Sequence, residues 1–424
     1  MNAFVKKIRV ILKDKGLRKK VGFVLLVLAF FRIGANIPIP GIDSAQLANF
    51  LSGNQFFGLL NIFSGGGLSN MSIMMLGVAP FITATIIMQL LTMIFPKLKE
   101  MYQENGEAGQ QKFNQISRLA TIPLGFLQGF GLMTLLERQN IMPGLSAFDK
   151  FANLIIVVAG SMLLTWLGEL IDEYGIGNGI SLLIFAGIVA GVPNTIKQLL
   201  FTFEYSQLPV YLGSLIAFII VVAGVVAITE AERPVPVHYA KQVRGAKVYG
   251  GSATQLPLRV NQAGVIPIIF AISILLFPQM LANMFASSGS ATAKIMVKIL
   301  GGFMNNLWLY GASYFILVFM FTYFYTAVTF DPEQIAENLQ KSGAFVPGIR
   351  PGKPTSDYLG KIVNRITLTG ATFLGLIAIL PIIMQAITGV VALTIGGTAL
   401  LIAVEVILDL IRQVESQVVM REYE

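Results

Sequence analysis

The sequence predicts an all-α polytopic membrane protein whose ten transmembrane helices form two inverted halves of five helices each. Composition points there first, because 55% of the 424 residues are hydrophobic and only 12% are charged, with a mean hydropathy of +0.73. Apolar segments long enough to cross a bilayer recur along the chain, and sequence patterns of the first half return in the second.

Ten apolar segments account for the predicted spans. A helix needs about 20 predominantly apolar residues to cross the hydrocarbon core of a bilayer. Segments that meet or approach this length lie at about 20–37, 72–92, 117–136, 152–172, 179–195, 209–229, 260–284, 306–329, 364–384 and 389–411.

The basic residues set the orientation. With both termini in the cytoplasm, about 24 of the 30 Lys and Arg residues lie on the cytoplasmic side, as the positive-inside rule expects. Residues 1–19 are basic and partly amphipathic without a small-residue cleavage site, so we expect an interfacial helix and no signal peptide. The two halves are then 20–200 and 201–413, and 414–424 form a cytoplasmic tail.

An internal repeat relates the two halves. The hexapeptide GVAPFI from Gly77 returns as GVIPII from Gly264, and GISLLI from Gly179 returns as GTALLI from Gly397. Spans two and five therefore match spans seven and ten. Because a unit of five spans starts its second copy from the opposite side, the halves are inverted, and such repeats place the functional path at their interface.

Branched apolar residues at this interface are candidates for lining a path. Four of them come in pairs one helical turn apart, and the repeat adds two more, which gives Ile82, Ile86, Ile180, Ile184, Ile269 and Ile402. One interpretation is a hydrophobic collar around a pore. The other is ordinary helix packing, which also favours such residues.

The stretch from 54 to 91 is the most unusual one in the chain. Its first apolar piece, 56–63, rises only about 12 Å as a helix and cannot cross. A glycine tract, 64–67, follows, and non-helical backbone at membrane depth requires a protein-lined or watery cavity. We expect a re-entrant segment whose glycines let it swing aside.

Two charged residues lie well inside the predicted spans, away from the span ends. Arg32 is expected to reach the outer interface by snorkelling. Glu405 lies one turn past Ile402, where a carboxylate needs water, a polar neighbour or a proton. A pore-side vestibule and a helix-packing or partner contact are both open for it.

Catalytic constellations are missing from the sequence. There is no cysteine and a single histidine, His238, in a cytoplasmic loop. No metalloprotease, nucleophile-elbow or phosphate-loop motif occurs. We therefore expect no enzymatic activity, cofactor or metal site, and any ATP-driven work belongs to another protein.

The two long cytoplasmic loops, 230–259 and 331–361, are candidate docking surfaces. In the first, Lys241, Arg244 and Lys247 alternate with tyrosines, a pattern that fits an acidic or RNA-bearing partner. In the second, turn residues enclose Arg350. A solvated loop that obeys the positive-inside rule is the alternative.

Several long tracts are distinctive, and they read FRIGANIPIPGID, NIFSGGGLSNMSI, LGVAPFITATIIMQLL, GELIDEYGIGNGISLLIFAGIVAG, YAKQVRGAKVYGGSATQLPLRVNQAGVIPIIFA and AFVPGIRPGKPTSDYL. With these tracts the chain resembles the SecY/Sec61-alpha family of protein-conducting channels over essentially its whole length. The resemblance implies a clam shell of two five-helix halves, a hydrophobic ring at the six isoleucines, and a plug at about 56–70 that includes Phe57, Leu59, Leu60, Ile62, Phe63, Gly65, Gly66, Gly67 and Leu68.

The resemblance also implies function and partners. A lateral gate between spans 2 and 3 and spans 7 and 8 would release signal sequences into lipid, with Thr85, Gln89, Ile268 and Ile272 as its residues. Docking residues would be Lys241, Arg244, Lys247 and Arg350. Implied partners are the membrane subunits SecE and SecG, the motor ATPase SecA, the ribosome, unfolded polypeptides and the phospholipid bilayer of the bacterial inner membrane.

Three alternative functions were weighed against this one. A secondary transporter also shows inverted repeats and broken helices, but its coupling sites usually need ionisable residues at mid-membrane, which are sparse here. A membrane-embedded enzyme lacks its catalytic groups. A structural scaffold would not need a re-entrant segment.

Overall fold

The protein is predominantly helical in the computed structural model, which describes residues 14–40, 61, 64–104, 106–138, 146–201, 205, 208–239, 242–244, 247–249, 253–264, 266–285, 295, 298–300, 302, 306–388 and 391–422. The first half contains α1 (Lys15–Gly34), α2 (Ala79–Ile94), α3 (Pro96–Lys99), α4 (Gly106–Arg138), α5 (Ala147–Tyr174) and α6 (Gly179–Phe201), with a π-helical turn at Glu100–Glu104. The second contains α7 (Leu208–Glu230), α8 (Ile266–Phe285), α9 (Leu307–Thr329), α10 (Pro332–Lys341), α11 (Lys353–Thr388) and α12 (Val391–Glu422).

Helix α1 begins before the first predicted span. The carboxylate of Asp14 accepts hydrogen bonds from the backbone N–H groups of Gly16 and Leu17, at 2.6 and 3.1 Å. This cap satisfies two N–H groups that have no partner within the helix. Residues 15–19 therefore belong to α1, and residues 1–13 of the expected interfacial helix lie outside the described residues.

The repeat is visible in the backbone at its first pair of sites. Gly77 has φ +58° and Gly264 has φ +59°, and α2 and α8 each begin two residues later. Such a φ is favourable for glycine alone, so both copies use the same turn to start a helix. Both helices thus begin six or seven residues later than predicted. The second pair differs, because Gly179 begins α6 whereas Gly397 lies inside α12.

Length and hydropathy support part of the predicted span count. Within the described residues, five helices are long and apolar enough to cross a membrane, namely α4, α5, α7, α9 and α11. A sixth candidate is α2 with α3, which are bent by 119° at their junction. Shorter apolar stretches occur in α6 and α8. The full count of ten stays a prediction.

The two halves meet along two seams. Helix α8 contacts α2 and α4 on one side, and α12 contacts α6 on the other. A single buried apolar cluster extends across these helices. The functional path predicted at the interface of the repeats therefore coincides with the largest apolar core among the described residues.

A small sheet covers one end of the second half. Its strands β1 (Glu232–Tyr239), β4 (Ala253–Arg259) and β5 (Ala344–Phe345) are antiparallel in the order β4–β1–β5. Strands β2 (Gln242–Arg244) and β3 (Lys247–Tyr249) form a separate hairpin. Val235, Val237 and Leu258 pack with α11 residues such as Leu359 in an apolar cluster of their own, which fixes the sheet to α11.

Candidate channel site

The six predicted ring isoleucines lie in the apolar cluster at the seams. Ile82 and Ile86 of α2, Ile184 of α6, Ile269 of α8 and Ile402 of α12 are buried members of it. Ile180 is half-buried and packs against it, beside Gly168 of α5. Four helices from both halves thus bring branched apolar side chains into one contiguous cluster, where a hydrated ion would find no ligand.

The predicted gate residues lie on α2 and α8, which contact each other. Ile268 and Ile272 are buried, whereas the Thr85 hydroxyl donates to the Phe81 carbonyl of its own helix at 2.9 Å. Gln89 is also buried, and its Oε1 has no hydrogen-bond partner among the described residues. The contact between α2 and α8 is therefore mainly apolar.

A tyrosine from the π-helical turn covers this end of α2. Burial raises the pKa of the Tyr102 phenol, and a hydrogen bond from the Gln89 side chain opposes that shift. The Tyr102 ring also packs on Phe113 of α4, with ring centroids 4.8 Å apart. Sequence reasoning missed Tyr102, and its position in a polar loop gave no signal.

A second missed pair joins α4 to α2. Gln128 is buried, and its Nε2 donates to the Thr83 Oγ1 at 3.1 Å. A glutamine in the middle of a mostly apolar span is the signal that could have found it, since such a side chain needs a partner at membrane depth. The hydrogen bond links α4 to α2, two helices of the predicted gate.

The glycine tract forms a tight, hydrogen-bonded turn. Gly65 and Gly66 have φ of +64° and +82°, and the Gly66 N–H donates to the Asn61 carbonyl at 2.8 Å. The Ser72 N–H donates to the Gly67 carbonyl, also at 2.8 Å. These bonds satisfy buried backbone groups, as an apolar environment requires.

Two helices of the first half hold the tract in place. The Arg32 Nη1 of α1 donates to the Gly65 carbonyl at 2.9 Å, and the snorkelling of this arginine to the outer interface stays a prediction. A Cβ at Gly187 of α6 would lie 2.2 Å from the Gly65 Cα. Gly65 therefore packs tightly between α1 and α6 in this arrangement, and the outward swing of the segment stays a prediction.

Only part of the predicted plug falls within the described residues. Gly65, Gly66, Gly67 and Leu68 do, and Leu68 is fully buried. The other predicted plug residues, Phe57, Leu59, Leu60, Ile62 and Phe63, lie outside the described residues. The structure thus describes where this segment ends and what holds that end.

The two predicted docking loops are joined by strand pairing. Strand β5 comes from the second loop and pairs with β1 of the first, with His238 opposite Phe345. Arg244 and Lys247 are opposite each other at the closed end of the β2–β3 hairpin, and Lys241 lies outside the described residues. Sequence reasoning treated these loops as separate and missed the sheet.

Arg350 lies in a rigid turn. Gly348 and Gly352 on either side have φ of +81° and +92°, and the Thr355 hydroxyl donates to the Arg350 carbonyl at 2.8 Å. The turn directly precedes α11. It therefore presents one cation at a fixed point beside the sheet.

Glu405 lies in a polar contact between helices. It is 4% exposed, and its Oε1 accepts hydrogen bonds from the Thr229 hydroxyl at 2.7 Å and from the Asn261 amide at 2.9 Å. Of the two positions left open by the sequence, helix packing is the one observed.

Comparison with known proteins identifies the family. A family model described as SecY matches residues 72–411. The chain belongs to the SecY family. It is 46% identical over 422 residues to the protein translocase subunit SecY of Thermus thermophilus, covering 96% of this chain and 94% of that relative. The resemblance inferred from sequence tracts is thus confirmed at the level of the family.

Solved structures share the fold of this SecY-family chain. One is a SecY channel whose plug domain is described as stabilising the closed state and maintaining a membrane seal, with a TM-score of 0.65, 21% identity, and coverage of 96% of this chain and 93% of that one. Another is Sec61 in the canine ribosome–channel complex, with a TM-score of 0.62, 20% identity and the same coverage. The predicted fold class is therefore confirmed, apart from the number of spans.

Proposed function

We propose that this chain is the pore-forming subunit of a Sec protein-conducting channel in a bacterial inner membrane. It passes unfolded secretory proteins across the membrane and releases transmembrane segments through a lateral gate between α2 and α4 on one side and α8 and α9 on the other. The observation that carries this proposal is the apolar cluster in which isoleucines from both inverted halves meet.

Physical chemistry explains why such a cluster suits a polypeptide pore. A ring of branched apolar side chains offers ions no ligand and excludes water when it closes. It also makes no hydrogen-bond demand on a passing chain, so any sequence can move through it. A small-solute transporter would instead need polar groups at the same depth to select its substrate.

The segment at about 56–70 is the proposed plug. The turn at Gly65, held by Arg32 and Gly187, supplies a fixed base for it on the first half. The described plug domain of the solved SecY channel supports this assignment.

Partner proteins would dock on this chain and supply the driving force for translocation. The chain has no phosphate-loop motif, so translation by the ribosome or ATP hydrolysis by SecA would move the substrate. SecE and SecG would complete the membrane complex. The basic residues Arg244, Lys247 and Arg350 of the two loops support docking of a ribosome or of SecA, and the ribosome-bound Sec61 channel shares the fold.

Crosslinking to a stalled nascent chain tests the pore. The native chain has no cysteine, so Ile82→Cys introduces a single reactive thiol into the proposed ring. We expect it to crosslink to a cysteine in a translocating polypeptide. Leu212→Cys on α7 is the control. Leu212 is exposed on the surface of the chain, away from the apolar cluster, and should give no product. Absence of any Ile82→Cys product would favour the small-solute transporter.

Charge reversal at the rigid turn tests docking. Arg350→Glu should weaken binding of purified SecA or ribosomes, and the loss should be greatest at low salt because exposed charges are screened. Arg350→Lys keeps the charge and should retain most of the affinity. Equal binding by the wild-type and Arg350→Glu complexes, measured at two ionic strengths, would remove Arg350 from the docking surface.

A further inference from the structure

Three buried polar side chains and one half-buried arginine form a contact between α7, α12 and the segment that leads into α8. Thr229, Asn261 and Glu405 are each buried, and the carboxylate of Glu405 accepts from the other two. Arg412, two turns further along α12, donates to the Thr229 carbonyl. We call this group the polar brace.

The brace acts on the turn that starts α8. The Asn261 Nδ2 also contacts the Gly264 carbonyl at 3.4 Å, and Gly264 has the φ of +59° that begins the helix. On the other side, the Val260 carbonyl lies so close to α11 that a Cβ at Gly370 would come within 2.6 Å of it. Residues 260–264 are therefore held between α11 and α12.

The first half contains a similar arrangement without a charge. There the Ser161 hydroxyl of α5 donates to the Gly77 carbonyl at 2.6 Å, and Gly77 is the equivalent glycine before α2. In both copies a buried polar side chain thus holds the carbonyl of the glycine that starts the helix. In the second copy the side chain is Asn261, and Asn261 is in turn held by Glu405.

We propose that Glu405 is a positioning residue that fixes the start of α8, and with it the ring residue Ile269 and the gate residue Ile268, relative to α12. Its consequence for gating rests on the proposed function, whereas its effect on residues 260–270 does not. Removing the acceptor leaves the Thr229 hydroxyl and the Asn261 amide buried without their partner, which costs more than the bond itself contributes.

Hydrogen–deuterium exchange of the purified wild-type and variant complexes tests the brace directly. Glu405→Leu should increase amide exchange in the peptide that covers residues 261–270 by about tenfold or more, the effect of an unpartnered buried polar group. Glu405→Gln keeps an oxygen that can accept both hydrogen bonds, and it should exchange at the wild-type rate.

A packing control separates positioning from general damage. Val406→Ala trims a neighbouring buried residue of α12 and should leave exchange at 261–270 unchanged. Wild-type exchange in Glu405→Leu, or equal increases in Glu405→Leu and Val406→Ala, would overturn the proposal, as would an increase in Glu405→Gln that matches Glu405→Leu.

Ion leakage through closed channels in vesicles measures the consequence for gating. We expect a several-fold increase for Glu405→Leu and none for Glu405→Gln. Faster exchange with unchanged leakage would retain the brace and contradict the link to the pore. Absence of an Ile82→Cys crosslink would contradict the pore itself and leave the exchange result standing.

Discussion

Gly187→Ala is expected to open a leak in the closed channel. A Cβ at this position of α6 would lie 2.2 Å from the Gly65 Cα, a distance at which backbone must move. Overpacking of this kind costs about 1–3 kcal/mol, and each 1.4 kcal/mol that falls on the closed state alone lowers its population relative to the open state about tenfold. The measurement is ion flux through the complex in vesicles without substrate.

Gly191→Ala provides the matched control. Gly191 lies one turn further along the same helix, and a Cβ there meets nothing within 4 Å. It should leave ion flux at the wild-type value. If both alanine variants seal as well as the wild type, the turn at Gly65 does not hold the seal, and the plug must be sought elsewhere.

Substitution of Ile86 or Ile269 by asparagine is expected to admit water into the proposed isoleucine ring. Both isoleucines are buried in the cluster at the seams, and a buried amide without a partner costs about 1–3 kcal/mol. Water that enters to satisfy the amide lowers the barrier to ions. We therefore expect a several-fold higher ion leak in the closed channel for Ile86→Asn and Ile269→Asn, measured as vesicle conductance.

A buried position outside the seams serves as the control for the ring. Val225 of α7 belongs to a separate apolar cluster with Ile377 and Leu401. Val225→Asn should lower the thermal stability of the complex to a similar degree without increasing the leak. An equal leak in Val225→Asn would show that the effect reports general destabilisation and would contradict the ring assignment.

Apolar periodicity and the repeat predicted the core of this protein well. The six isoleucines were selected by helical spacing and by the repeat, and the structure places all six in or against one cluster. The GVAPFI and GVIPII hexapeptides predicted equivalence, and their glycines adopt nearly the same φ. Such features are local, so a single sequence carries them.

Contacts between distant polar residues were the ones that sequence could not supply. Arg32 bonds a carbonyl 33 residues away, and no local pattern indicated that partner. Glu405 reaches Thr229, which is 176 residues away in the chain. Composition and spacing describe which residues need partners at membrane depth, but the partner itself is chosen by tertiary packing.

Boundaries differed for a physical reason as well. Helices α2 and α8 begin seven and six residues after the predicted starts of their spans. In each case a positive-φ glycine and a proline in the first turn delay the start of the helix. Before α2 hydropathy alone cannot detect that delay, since residues 73–78 are mostly apolar, whereas the polar pair Asn261 and Gln262 does precede α8.

The pairing of β5 with β1 joins two loops that are about 100 residues apart in the chain. The stability effects of substitutions at the paired positions of the two loops are therefore not expected to be additive. A ligand that binds one loop and favours one geometry of the sheet changes the affinity of the other loop for a second ligand. The second ligand then changes the affinity for the first by the same factor. Two partners that dock on these loops would thus alter each other's affinity through the sheet, even where their binding surfaces do not overlap.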